Sequence, residues 1–527
     1  MNPGRCHREI LRGLLLVLVT AVPAFADEAP RPSQPSDLPC DAAEACFRAA
    51  LAPDPEAASA EERTTRKLER LQQVRERHPG SIWARRATLA MGVLMTDRQP
   101  SEAVALLRMA QHDFPLLDDY VRLWIGEARL KAGDVAAAAA LFDIIPELVP
   151  DTLLGPRLSY RAGEAWFRAG YCPYAVEQLT KAVAQDPQHD EAARSLLMLA
   201  DCQARDARTP DNALTLRQVW TRYPQTPEAD EAEKLLAQRA GGAAWRPTLD
   251  ERYLRASNLL VAAQNEEAVG ELKTFLSSAN GHPKREEAKL KLGIALARLK
   301  RYDQAREMFH ALASNGPSTE ASEATVWLAR SHLRLGDGDR LLAVRKAYPK
   351  VALTPEQQSL ILLATGTWYD DQNQPDQAIG QYRQIAQLGD QTEQRAESLW
   401  RIGWIQYRAG RYREAVKTLQ DLVAIREDPA NNPQALYWTA RAQEQLQDSA
   451  AATDTYQTLC RKYAWTYYCQ LTRARMDVPS PDAMGAPPNG DPGDSGGSAI
   501  EQDIHYRRAV ELRLLGLEQE AGREVAW

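Results

Sequence analysis

The 527-residue chain reads as an all-α protein, a right-handed superhelix (α-solenoid) of stacked helix pairs. Three observations predict it. An alanine recurs with a large residue four positions on, a small residue stands twelve positions before many of those alanines, and proline often closes the unit.

The alanines are Ala138, Ala175, Ala268, Ala305, Ala378, Ala415 and Ala452, and neighbours such as Ala378, Ala415 and Ala452 stand 37 residues apart. The large partners are Phe142, Leu179, Leu272, Phe309, Tyr382, Leu419 and Tyr456. The small residues upstream are Gly126, Gly163, Gly293, Gly366, Gly403 and Ala440, and Pro115, Pro150, Pro187 and Pro317 end units. Two helices approach closely only where small residues sit at their crossing. Gly163 and Ala175 are therefore predicted to face each other, with Trp166, Leu179 and Ala182 filling the space around them. One pair cannot bury its apolar faces alone, so pairs must stack. Periods of about 34 residues mark tetratricopeptide repeats, and these pairs are tetratricopeptide-like with slightly longer units.

Other segments depart from the repeat. Arg5, Arg8 and Arg12, an apolar stretch from Gly13 to Val22 and Ala24-Phe25-Ala26 predict a signal peptide over 1–26, cleaved near Ala26. The protein is then expected in the periplasm without stable membrane insertion, since no later segment is apolar enough to span a bilayer. Residues 27–60 read as a flexible N-terminal segment, with a short helix over Asp41–Ala50 tied by Cys40 and Cys46 as the one exception, 61–240 as a first block of repeats and 248–476 as a second. Gly241–Pro247 is predicted to break the solenoid between them. Residues 477–499 form a Pro/Gly/Ser linker, and 500–527 read as a C-terminal linker helix leading to a domain beyond the chain.

The net charge of −7, with both signs mixed, argues against nucleic acid as a partner. Six cysteines lie beyond the leader, and their spacing groups them as Cys40/Cys46, Cys172/Cys202 and Cys460/Cys469. In an oxidising compartment these are candidate disulfides, with free buried thiols as the alternative. No Cys-x-x-Cys, His-Glu-x-x-His or Gly-rich phosphate loop occurs, so no metal, cofactor or catalytic residue is assigned.

The segments Ala396-Glu-Ser-Leu-Trp-Arg-Ile-Gly-Trp-Ile-Gln-Tyr407, Gly410-Arg-Tyr-Arg-Glu-Ala415 and Ala435-Leu-Tyr-Trp-Thr-Ala-Arg-Ala442 occur in that order. Tyr467-Tyr468, Arg473 and Arg475 follow. From about residue 320 onward they resemble the helical region of soluble lytic murein transglycosylases. The resemblance implies a helical scaffold in the periplasm that acts on peptidoglycan through a separate lysozyme-like domain. That domain's Glu-Ser-x-Phe and Gly-Leu-Met-Gln segments are absent in the right context here. Glu397-Ser-Leu-Trp400 lies instead in the first helix of a repeat, and reads as a surface or groove residue. Gly493-Asp-Ser-Gly-Gly497 sits in the linker, where no rigid frame could position a triad around it. Asp337-Gly-Asp339 is too short for a calcium loop and reads as a turn.

Trp400, Trp404 and Tyr407 recur at i, i+4 and i+7 on one helix face. Together with Tyr160, Phe167, Tyr437 and Arg441 they are the candidate groove-lining residues, suited to stacking on sugar rings or holding a partner helix. The competing reading packs these rings between neighbouring repeats. The expected partners are peptidoglycan glycan strands or envelope proteins.

Overall fold

The structure is a computed structural model. It describes residues 40–54, 59–205, 212–239, 245–388, 392–425, 428, 430–464, 466–476 and 502–526. The expected leader at 1–26 and the linker at 477–499, with its Gly493–Gly497 segment, lie outside the described residues. Among those described there are 26 helices and no strands.

The chain forms two compact units, Met1–Asp134 together with Ile504–Trp527, and Val135–Asp503. The first holds α1 (Ala43–Leu51), α2 (Ala60–Arg77), α3 (Ile82–Met95), α4 (Pro100–Gln111), α5 (Asp118–Ala132), α25 (Ile504–Leu514) and α26 (Glu518–Val525). The second runs from α6 (Val135–Leu148) through α7 (Gly155–Arg168), α8 (Cys172–Gln185), α9 (Ala192–Arg205), α10 (Asn212–Arg222) and α11 (Pro227–Arg239). It continues with α12 (Leu249–Val261), α13 (Asn265–Ser278), α14 (Arg285–Arg298), α15 (Tyr302–Ser314), α16 (Thr319–Leu335) and α17 (Gly338–Ala347). Then come α18 (Pro355–Asp371), α19 (Pro375–Ile385), α20 (Thr392–Arg408), α21 (Tyr412–Ile425), α22 (Asn432–Gln445), α23 (Ser449–Lys462) and α24 (Tyr467–Met476).

The recurrent small residue has a direct steric cause. A methyl group added at Gly163 would stand 2.6 Å from the Leu179 side chain, and one at Gly403 would stand 2.6 Å from Leu419. The large residue of each second helix therefore rests on the small residue of the first. Ala175 and Ala182 are fully buried in that contact. Trp166 is only half-buried, and its indole N–H donates to Asp143 at 2.7 Å.

The turn that follows the first helix repeats as strictly in most of the repeats, although α3–α4 closes without a left-handed residue. Gly133, Gly170, Ala263, Lys300, Gly336, Asn373, Gly410 and Gln447 all have positive φ. In each, the next residue's N–H bonds the carbonyl five positions back, as Tyr171 does to Trp166 and Arg301 to Leu296. This is the Schellman closure, which needs one left-handed residue. Seven residues separate it from the small residue before it, as from Gly403 to Gly410, and five from the alanine after it, as from Gly410 to Ala415.

That register extends further than the sequence pattern predicts. Ala509, Gly516 and Ala521 carry the same offsets, and Gly516 has φ +76°. In place of one linker helix, residues 504–525 form a helix pair of the repeat type. Ala329, Gly336 and Leu341 make another pair, hidden because leucine stands where alanine recurs elsewhere.

Residues 241–244 of the expected break at Gly241–Pro247 lie outside the described residues, and the helices on either side of it are in contact. α12 packs directly on α10: Arg255 donates to the Trp220 carbonyl at 2.7 Å and Asn258 to the Thr221 carbonyl at 2.8 Å. These donors satisfy end-of-helix carbonyls that would otherwise lack partners. Trp245 adds an edge contact to Trp220 at 4.9 Å. Disulfides join Cys40 to Cys46, Cys172 to Cys202 and Cys460 to Cys469, the last two tying α8 to α9 and α23 to α24.

Candidate functional site

One cluster of aromatic residues in the second unit lies on α20 and α22. Trp400, Trp404 and Tyr407 fall one turn apart on α20, and the opposite face of that helix, with Ile402, Gly403 and Ile405, is buried. Trp400 and Trp404 lie 6.0 Å apart with planes 15° from parallel, and Trp404 and Tyr407 5.9 Å apart at 7°. Trp438 on α22 meets both of the latter edge-on, at 4.6 Å and 4.9 Å. All four rings are half-buried. The cluster thus joins two successive repeats and leaves part of each ring accessible. Trp438 is absent from the sequence-level set because it stands next to Tyr437, and helical spacing alone does not choose between adjacent residues.

Two guanidinium groups lie beside the rings, Arg408 at Trp404 and Arg441 at Tyr407, and ion pairs surround the cluster. Arg401 pairs with Glu397 at 2.6 Å, and Arg408 pairs with Asp370 at 2.5 Å while lying 5.8 Å from the Trp404 ring centre. Arg441 pairs with Glu444 at 3.1 Å, and Arg475 binds the same carboxylate through two donors at 2.8 and 2.9 Å. Burial pushes the Tyr407 hydroxyl above its ordinary pKa, with the nearby Arg441 charge pulling it down. Glu397 is thus part of a half-exposed ion pair rather than a carboxyl group in a dry cleft.

Other predicted groove residues are placed differently. Tyr160 is 1% exposed, donates its hydroxyl to the Asp186 carbonyl at 3.1 Å and stacks on His189 at 4.3 Å. Tyr437 is buried against Tyr456 and Tyr468. Both are packing residues, because their phase on the helix turns them toward the neighbouring helix. Phe167 is half-buried, with the Arg205 guanidinium 5.2 Å from its ring centre. Asp337 is the N-cap of α17 and accepts from the Arg340 backbone N–H at 3.2 Å, which makes Asp337-Gly-Asp339 a helix start.

No group of three or more His, Cys, Asp or Glu side chains suited to a metal occurs among the described residues. No described helix is long and apolar enough to cross a membrane.

The tetratricopeptide repeat family model matches residues 93–151, 253–320, 290–348 and 363–432, and a second tetratricopeptide repeat model matches 434–464. No curated protein matches the chain. Among solved structures, the APC/C hetero-tetramer Cut9–Hcn1 is similar at 14% identity, covering 92% of this chain and 96% of that one, with a TM-score of 0.27. A tetratricopeptide repeat protein from Parabacteroides merdae is similar at 15% identity over 54% of this chain and 98% of that one, with a TM-score of 0.28. An inactive mutant of the lytic transglycosylase Slt from Pseudomonas aeruginosa is 17% identical over 83% of this chain and 64% of its own, with a TM-score of 0.39. The chain is an all-α solenoid that carries tetratricopeptide repeats.

Proposed function

We propose that the chain is an exported scaffold that acts by binding, and that it positions peptidoglycan glycan strands or a catalytic domain in cell-wall turnover. The observation that carries this reading is the Trp400–Trp404–Tyr407 ladder with Trp438 beside it. Nearly parallel, half-accessible rings with two guanidinium groups beside them suit an extended ligand with flat apolar faces and polar edges, which is the character of a glycan strand. Three disulfides and the leader-like N-terminus support a periplasmic location. The sequence resemblance from about residue 320 supports the link to cell-wall turnover.

A second reading is an envelope adaptor that binds proteins. The repeat matches favour it, because repeats of this type generally mediate protein–protein contacts, and interfaces are enriched in Trp, Tyr and Arg.

Co-sedimentation of the purified protein with murein sacculi tests the first reading. Binding should be saturable, and the double variant Trp400→Ala, Trp404→Ala should weaken it at least about tenfold, the effect of one lost hot-spot contact, with the helical circular dichroism signal retained. Absence of co-sedimentation by the unaltered protein rejects the glycan reading and leaves the adaptor. Release of anhydro-muropeptides from the sacculi would show that the chain is itself an enzyme.

A further inference from the structure

The second unit holds a cavity of about 280 Å³, far in sequence from the aromatic cluster and unrelated to its reading. It opens where α15, α16 and α17 meet. Arg306 and His310 on α15, His332 on α16, Arg340 on α17 and Tyr348 just after α17 line it, and Glu307 is the one carboxylate in the lining. We propose that this cavity binds a small anionic group, a carboxylate or a tetrahedral oxyanion, held by Arg306 and Arg340 with the His332 ring beside them.

The guanidinium groups retain capacity for a ligand. Arg306 reaches Asp303 at 3.1 Å, but that carboxylate is 75% exposed and forms only a weak surface pair. Its distance to Asp337 is 4.0 Å. Arg340 engages Asp337 through a single side-chain nitrogen at 2.9 Å, so most of its five N–H donors remain for another acceptor. Asp337 is itself occupied by the backbone N–H and side chain of Arg340 as the cap of α17.

His332 supplies an independent observation. It is 6% exposed, and its Nδ1 is buried without a hydrogen-bond partner, the Asp337 carboxylate lying 3.6 Å away. Buried ring nitrogens normally find a partner. The groups facing it are Asp337, which favours its protonation, and Arg306 and Arg340, which oppose it. Burial is the largest influence and lowers its pKa. An anion against the two guanidinium groups would offset their repulsion and favour the imidazolium. Proton uptake on binding means that binding strengthens as pH falls. His310 is set beside this arrangement by the Tyr348 hydroxyl, 2.6 Å from its Nδ1.

Sulfate is the probe, because it stays dianionic between pH 6 and 8 and any pH dependence belongs to the protein. It is titrated into the full chain while the His332 imidazole resonances are followed by NMR. The expected result is a saturable shift, tighter at pH 6 than at pH 8. Arg306→Gln and Arg340→Gln should each weaken binding about tenfold, the effect of one charge-assisted contact. His332→Gln, followed through the His310 resonances, should retain binding and lose its pH dependence. Acetate in place of sulfate separates a carboxylate site from an oxyanion site, and either result supports the assignment. His332 resonances that do not move with either anion overturn it, as does equal affinity in the unaltered protein and the arginine variants. Should Arg340→Gln lose helical signal, Arg306→Gln decides, because Arg306 caps no helix.

Discussion

At the scale of single residues, the Schellman turn inside most helix pairs demands one left-handed residue, and the chain meets that demand unevenly. Gly133, Gly170, Gly336 and Gly410 fit it freely, whereas Lys300 and Gln447 hold φ +61° with a Cβ atom. For such residues this conformation is disfavoured by roughly 1–2 kcal/mol. Glycine loses more entropy on folding, which returns about 0.4–1 kcal/mol of that difference. Both side chains are exposed. Lys300→Gly and Gln447→Gly should therefore each stabilise by about 0.5–1 kcal/mol in chemical denaturation. A loss of stability would show that the turn is not left-handed in solution. Gly163 poses the opposite constraint. Gly163→Ala drives a methyl group into Leu179, which is fully buried and has nowhere to move. We expect destabilisation of about 1–3 kcal/mol.

At the scale of elements, helix pairs are joined by polar contacts as well as by apolar packing. From α14, Lys291 reaches Tyr253 at 2.7 Å and Ser257 at 2.9 Å on α12, and Glu287 on its own helix at 3.1 Å. Burial alone would raise the Glu287 carboxyl, but hydrogen bonds from Tyr253, Lys284 and Lys291 outweigh it and hold its pKa down to about 2. That lies below the unfolded value of about 4.3. The network's contribution is therefore fully present above that value and lost as pH falls toward 2. Acid titration of the helical signal should show a less steep loss over that range for Glu287→Gln than for the unaltered chain. Identical acid limbs would mean that Glu287 titrates as in the unfolded chain. The α20–α22 contact behaves differently. Its rings are half-buried, so the same residues that join two repeats keep part of their surface accessible.

At the scale of the whole chain, the first unit is assembled from its two ends. α25 and α26 seat on helices some four hundred residues earlier. Arg86 forms a two-point pair with Glu511 at 2.6 and 2.7 Å, and Arg508 donates to the Leu116 carbonyl at 3.0 Å. Glu524 is 2% exposed and lies between the Tyr120 hydroxyl, at 2.8 Å, and His505, at 2.6 Å. Burial and the neighbouring Glu524 both hold the Tyr120 hydroxyl protonated, far above its ordinary range. Tyr120→Phe removes a donor from a buried carboxylate, and should destabilise the protein by about 1–3 kcal/mol. Hydrogen exchange should rise in both Asp118–Ala132 and Ile504–Leu514. An effect confined to Asp118–Ala132 would mean that the C-terminal pair is not seated there.

The amino-acid sequence by itself determined the all-α class, the helix pair and its spacing. Those features rest on local rules: Gly163 and Leu179 are sixteen residues apart, and one turn brings them together whatever the rest of the chain does. The same rules applied to Ala509, Gly516 and Ala521 identify the last pair, although a Pro/Gly-rich stretch of sequence before it and a short second helix disguise it. Tertiary structure alone decided three other matters. Tyr437 is core while Trp438 is half-open, because the boundary between them depends on how far α22 is rotated against α20 and α24. Packing continues past Gly241–Pro247, because Arg255 and Asn258 reach back to carbonyls that sequence spacing does not reveal. Residues 504–525 complete the first unit, because Tyr120, Arg86 and Leu116 present partners for them from the other end of the chain. Local periodicity carries no information about contacts of that range.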